Sequence, residues 1–231
     1  MDFDSVKILF VGNSQIFVNN VPGQLQAIAK SYNVDIKYKD ISKHGNRGGT
    51  LPELTTTAIS EMQNGKYDYI ILQDHSRRPI NNADGFFQDI KVLCSEIRKN
   101  GAIPVLYNPA WANINGKPDI DLLNICTEVY KRAADENGAI LINAADAWIY
   151  AYQTIPGILL YTKFDPRGPH ANKAGAFLTA CLFATTLFDL HIEEIPRNNV
   201  YKGNNAINLA NAAWDFVQRC KSEIGILEAN L

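Results

Sequence analysis

Five apolar, β-branched runs punctuate this chain: "VKILFV" (6–11), "VDIKYKDI" (34–41), "YDYIILQ" (67–73), "AIPVLY" (102–107) and "AILINA" (139–144). Helical patterns fill the spaces between and after them, over 22–32, 51–64, 84–99, 119–137, 171–189 and 205–226. Strands that alternate with helices pair in parallel and are covered by helices on both faces. The first, third, fourth and fifth runs are almost wholly apolar, as strands buried on both sides must be. The second sets Val34, Ile36 and Tyr38 against Asp35, Lys37 and Lys39, so it is expected at a sheet edge with one wetter face. No repeat, low-complexity tract or linker interrupts the pattern. The expectation is one α/β domain over 1–231, a three-layer α/β/α sandwich on five parallel strands.

Composition narrows the partners. The formal net charge is -2, and no basic run exceeds "RR". That argues against a nucleic-acid or anionic-membrane footprint. The opening "MDFDSV" has no basic leader, and no long apolar stretch follows it. A signal peptide and a membrane span are therefore not expected, and the expected location is cytoplasmic. Cys94, Cys126, Cys181 and Cys220 form no CxxC pair and read as buried thiols in a reducing compartment. His44, His75, His170 and His191 are scattered without the spacing of a metal site, so no metal is expected.

Parallel sheets bind ligands beyond the carboxyl ends of their strands. The segments that follow strands are therefore where chemistry is sought: "GNSQ" (12–15), "SKHGNRGGTL" (42–51), "QDHSRRP" (73–79) and "NPAWANING" (108–116). To these is added "FDPRGPH" (164–170), which precedes an amphipathic helix. Ser14 is either a turn residue bonding local backbone or a nucleophile in want of a base. It lies in neither GxSxG nor SxxK. His170 is either a cap or a general base, imidazole being the side chain that titrates near neutrality unaided. Gly48 and Gly49 permit unusual dihedrals and close approach of a ligand, or simply a flexible turn. Gln73 ends an apolar strand with an amide, which is either a polar strand end or a donor to substrate. Arg77 and Arg78 read as solvated surface or as contacts to an anionic group.

In chain order, these blocks resemble the SGNH (GDSL-type) hydrolase superfamily, as a divergent branch. "ILFVGNSQ" is similar to the family's first block, where Gly-Asp-Ser follows a strand near the N-terminus. "NRGGTL" is the counterpart of the second block, "ILQDHSRRP" stands where the third is found, and "FDPRGPHANKAGAFLTA" resembles the closing Asp-x-x-His and helix. The resemblance runs from Lys7 to about Leu187 and implies a flavodoxin-like sandwich carrying a serine esterase. It implies Ser14 as nucleophile, His170 as base and Asp165 as the acid that orients the imidazole. The oxyanion would be met by the N–H groups of Ser14 and Gly49 and by the Gln73 amide, with His75 as the substitute for Gln73. Asn13 and Trp111 are the expected substrate contacts, Trp111 by stacking on a sugar ring unless it merely closes its loop, and Asn13 with an amide that can also keep the local bonds. The implied substrate is a small-molecule ester, with O-acetylated carbohydrates among the candidates, and no cofactor is needed.

Three departures stand out. Asn13 replaces the usual aspartate beside the serine. The third block lacks asparagine. Three residues before His170 stands Arg167, while Asp165 lies five before it. Either Asp165 still reaches the histidine or the site is a Ser–His dyad. Two rivals belong to other classes. One is a non-catalytic binding module on the same fold with a decayed site. The other is a flavin or nucleotide binder, for which "GNSQIFVNN" is a poor phosphate cradle.

Overall fold

A computed structural model describes residues 5–42, 49–162, 169–196 and 200–229, the stretch 224–229 by its backbone alone. The chain runs β1 (Val6–Val11), α1 (Ser14–Phe17), α2 (Val21–Ser31), β2 (Ile36–Asp40), α3 (Leu51–Asn64), β3 (Tyr69–Leu72), α4 (Arg78–Asn81), α5 (Ala83–Lys99) and β4 (Ile103–Asn108). It continues through β5 (Asn113–Ile114), β6 (Lys117–Pro118), α6 (Ile120–Glu136), β7 (Ile140–Asn143), α7 (Ala144–Thr154), α8 (Lys173–Phe188) and α9 (Ala206–Ala229). Strands β2-β1-β3-β4-β7 form one five-stranded sheet, and every pairing in it is parallel. β2 lies at one edge, as its alternating pattern predicts.

Alternation along each strand divides the core into two layers. Ile8, Phe10, Ile71, Val105, Tyr107 and Ile142 face one side, where they meet α2, α7, α8 and α9. Leu9, Val11, Ile70, Leu72 and Leu106 face the other, against α3, α5 and α6. The result is the expected three-layer sandwich, because side chains in a strand point to opposite faces in turn and both faces here are apolar. The sheet order reverses between β1 and β3: the chain leaves β1 toward β2, then returns to the far side of β1. A crevice opens at such a reversal, outside the carboxyl ends of the two strands.

Among the longer helices, two differ from the sequence expectation. α8 is not amphipathic: Ala174 to Thr185 are all buried, because α2 and α9 both pack on it within the helical layer. α7 was not expected at all. Asn143 closes β7 and its side chain accepts the Asp146 N–H as the cap of α7, so strand passes to helix with no intervening loop. The thiols of Cys94, Cys126 and Cys181 are buried, and burial pushes the first two up to about 11 and about 12. No helix among the described residues is long and apolar enough to cross a membrane.

Candidate active site

β1 gives way at Gly12, the residue after its last, where a side chain has no room. A Cβ there would come within 2.6 Å of the Ile16 Cδ1 and 2.7 Å of the Gln73 Oε1. Asn13 follows in extended conformation and caps α1, its Oδ1 accepting the Gln15 N–H at 3.1 Å. This turn presents Ser14 at the first position of α1, half-buried just beyond the carboxyl end of β1. On the opposite wall, His170 lies just before α8 and is 4% exposed. Its Nε2 sits 2.8 Å from the Ser14 Oγ. Residues 156 positions apart in the chain therefore meet as a hydroxyl–imidazole pair.

The loops after β1, β2 and β3 are tied together beneath this pair. The Asn13 Nδ2 donates to the Asp74 carbonyl at 3.3 Å and to the Gly49 carbonyl at 3.5 Å. Gly49 is buried and holds φ at 65°, a left-handed conformation that favours glycine. The Gln73 Oε1 accepts the Asn13 N–H at 3.0 Å, and its Nε2 donates to the Asp74 carbonyl. Gln73 is fully buried. It corrects the expectation of an oxyanion donor: the amide joins the first loop to the third and has no surface to offer a substrate. His75, the substitute, is partly exposed, and its backbone N–H bonds the Asp74 Oδ1 at 2.7 Å.

Asn13 and Trp111 are corrected as substrate contacts. Asn13 is 3% exposed, and its amide serves the loop bonds just described. Trp111 is 4% exposed and packs with Ala112, Leu123 and Ala145. α6 and α7 supply Leu123 and Ala145, and the Arg77 guanidinium lies 5.1 Å from the ring centroid. No ring face is left to stack on a sugar. Asp165, Arg167 and Gly48 lie outside the described residues. Among the described residues, no group of three or more His, Cys, Asp or Glu side chains gathers as a metal site.

Asp74 and Arg78 were not singled out as a pair from the sequence, yet they brace the site. Asp74 is fully buried. Its Oδ1 accepts the N–H of Leu51, the first residue of α3, at 3.0 Å, and its N–H donates to the Tyr130 hydroxyl at 3.2 Å. Arg78 bridges the carboxylates of Asp74 and of Asp89 on α5. Burial raises the Asp74 carboxyl above its ordinary value, while the Leu51 N–H and the Arg78 guanidinium pull the other way. The only signal available in sequence was an acid at a strand end followed by arginine four residues on. Arg78→Ala leaves a buried carboxylate without its cation and is expected to cost about 3 kcal/mol. Urea unfolding reads this as a lower midpoint at unchanged slope. Arg77→Ala removes a surface cation–π contact and should cost about 0.5–1 kcal/mol.

No protein-family model matches the chain, and no curated protein matches it. Solved structures do. The fold is similar to that of a DUF4886 family protein from Bacteroides uniformis ATCC 8492, with a TM-score of 0.71 at 16% identity over 93% of this chain and 95% of that one. It is similar to a Slackia heliotrinireducens protein assigned to the SGNH hydrolases, with a TM-score of 0.63 at 20% identity over 80% of this chain and all of that one. It is also similar to the acetyl xylan esterase AlAXEase, with a TM-score of 0.59 at 17% identity over 76% of this chain and 96% of that one. At these identities the likeness is one of fold.

Proposed function

Because this chain has the fold of the SGNH hydrolases, we propose that it is a serine esterase acting on small or carbohydrate O-acyl esters, with Ser14 as nucleophile and His170 as base. The observation that carries this reading is the 2.8 Å approach of the Ser14 Oγ to the His170 Nε2 at the sheet's point of reversal. A serine hydroxyl is a weak nucleophile until a base takes its proton, and a neutral imidazole in hydrogen-bond contact does so. In the first step the Oγ attacks the ester carbonyl and its proton passes to Nε2. The imidazolium then returns that proton to the departing alcohol, leaving an acyl-serine. Water deprotonated by the same nitrogen cleaves the acyl group in turn.

The oxyanion donors proposed are two backbone N–H groups. Ser14 stands at the start of α1, where a helix leaves its first N–H groups without intrahelical acceptors. Gly49 lies beside it through the Asn13 amide. Each such donor is worth about 10²–10³ in rate. Asp165 is proposed as the acid that orients the imidazole. The acetyl xylan esterase among the similar structures supports acetyl groups on carbohydrate as the first substrates to try.

The test is hydrolysis of nitrophenyl esters from acetate to octanoate, together with acetate release from acetylated xylo-oligosaccharides. Turnover is expected with the acetyl substrates and should fall as the acyl chain lengthens. A well-folded protein that hydrolyses none of them would end the esterase reading in favour of a non-catalytic binding module.

A further inference from the structure

We propose that Gln15 and Asn19 are positioning residues that hold the His170 segment at its working distance from Ser14, a role that rests on the esterase reading above. The Gln15 Nε2 donates to the Pro169 carbonyl at 3.1 Å, and the Asn19 Nδ2 donates to the Ala171 carbonyl at 2.8 Å. These two bonds flank the Ser14–His170 contact on both sides. The carbonyl between them, that of His170 itself, accepts the Thr162 N–H at 3.0 Å. Three consecutive peptide carbonyls around the base are thus each held, two of them by side chains of the segment that carries the nucleophile.

The segment needs such support. His170 lies outside helix and sheet, joined to its surroundings by the isolated Tyr161–Ala171 bridge, and α8 begins three residues later. Most of the imidazole's position is therefore decided by where these peptides lie. The backbone at Asn19 adds a second, independent observation. Asn19 and Asn20 both hold left-handed φ, 57° and 54°. Glycine meets that conformation with less strain than any other residue, so an amide at each position asks for a reason. Asn20 has one in the cap of α2, its Oδ1 accepting the Gly23 N–H at 3.1 Å. At Asn19 the reason is the Ala171 carbonyl. Strained non-glycine backbone gathers where geometry serves function.

Two substitutions separate positioning from stability. Asn19→Gly keeps the left-handed backbone and deletes the donor. Gln15→Met keeps length and deletes the donor. Each is expected to lower kcat on nitrophenyl acetate about tenfold, and the pair about 100-fold, the scale on which small misplacements of a reacting group act. KM and the Tm of Asn19→Gly should stay near the parent's. Asn19→Asp, which tolerates the backbone but cannot donate to a carbonyl, should behave like Asn19→Gly. Unchanged kcat in the folded double variant would overturn the proposal, as would a loss fully accounted for by a smaller folded fraction. A second readout does not depend on turnover. In the double variant, the ¹⁵N resonances of the His170 imidazole should move or broaden relative to the parent, and identical spectra would overturn the proposal. Should the parent hydrolyse no ester, the esterase reading falls, and these spectra still decide whether the two amides hold the histidine.

Discussion

Ser14→Ala is expected to lower kcat for ester hydrolysis by about 10⁴–10⁶. The imidazole would then have no hydroxyl to activate, and only substrate binding and the oxyanion donors would remain, which alone give about 10³–10⁴ over water in other serine hydrolases. The fold should barely notice. Ser14 is half-buried and gives up its hydrogen bond to His170, worth about 1 kcal/mol. His170→Ala should cost the same order in kcat, and the double variant no more than either single one, since the two groups act as a unit. Equal activity in Ser14→Ala and parent would reduce Ser14 to a turn residue.

Asp165→Asn should lower kcat by about 10⁴, as amidation of a triad aspartate does. The reasoning begins at the ring nitrogen that faces the serine. It is Nε2 that stands 2.8 Å from the Oγ, so in the neutral imidazole Nε2 must be bare and Nδ1 must carry the proton. A carboxylate accepting from Nδ1 fixes that tautomer and favours the imidazolium formed during attack. An amide in its place presents the wrong polarity. Asp165 is the acid that the sequence offers five residues before the histidine. A loss smaller than about tenfold, in a variant that still folds, would make the site a Ser–His dyad.

The sandwich was readable because its strands are nearly pure in composition. "ILFV", "YIIL" and "ILI" are apolar at successive positions and have few alternatives to a sheet covered on both faces. α7 escaped because Asn143 ends a strand and caps a helix at once, leaving no turn residues to mark the change. α8 reads as amphipathic in sequence because its packing against α2 and α9 within one helical layer is a tertiary fact that no local period records. Ser14 and His170 were found by order along the chain and by residue type. What lies between them was not. Gln73 reads in sequence as a donor to substrate or a polar strand end, and both it and Asn13 are used up on the backbone of a neighbouring loop. Trp111 reads as a platform or as an aromatic that closes its loop, and three small or aliphatic neighbours close over it. The amides of Gln15 and Asn19 recognise backbone carbonyls more than 150 residues away. A carbonyl carries no residue identity, so such contacts leave no trace in sequence spacing.

The most direct test of the central claim is covalent labelling with a fluorophosphonate, read by mass spectrometry of the intact protein and its peptides. Attack of the Ser14 Oγ on phosphorus expels fluoride and leaves a stable phosphonyl-serine. The account predicts a single adduct on the peptide that contains Ser14, absent from Ser14→Ala and strongly slowed in His170→Ala. An unmodified parent protein, or an adduct on another residue that forms equally in Ser14→Ala, would contradict it.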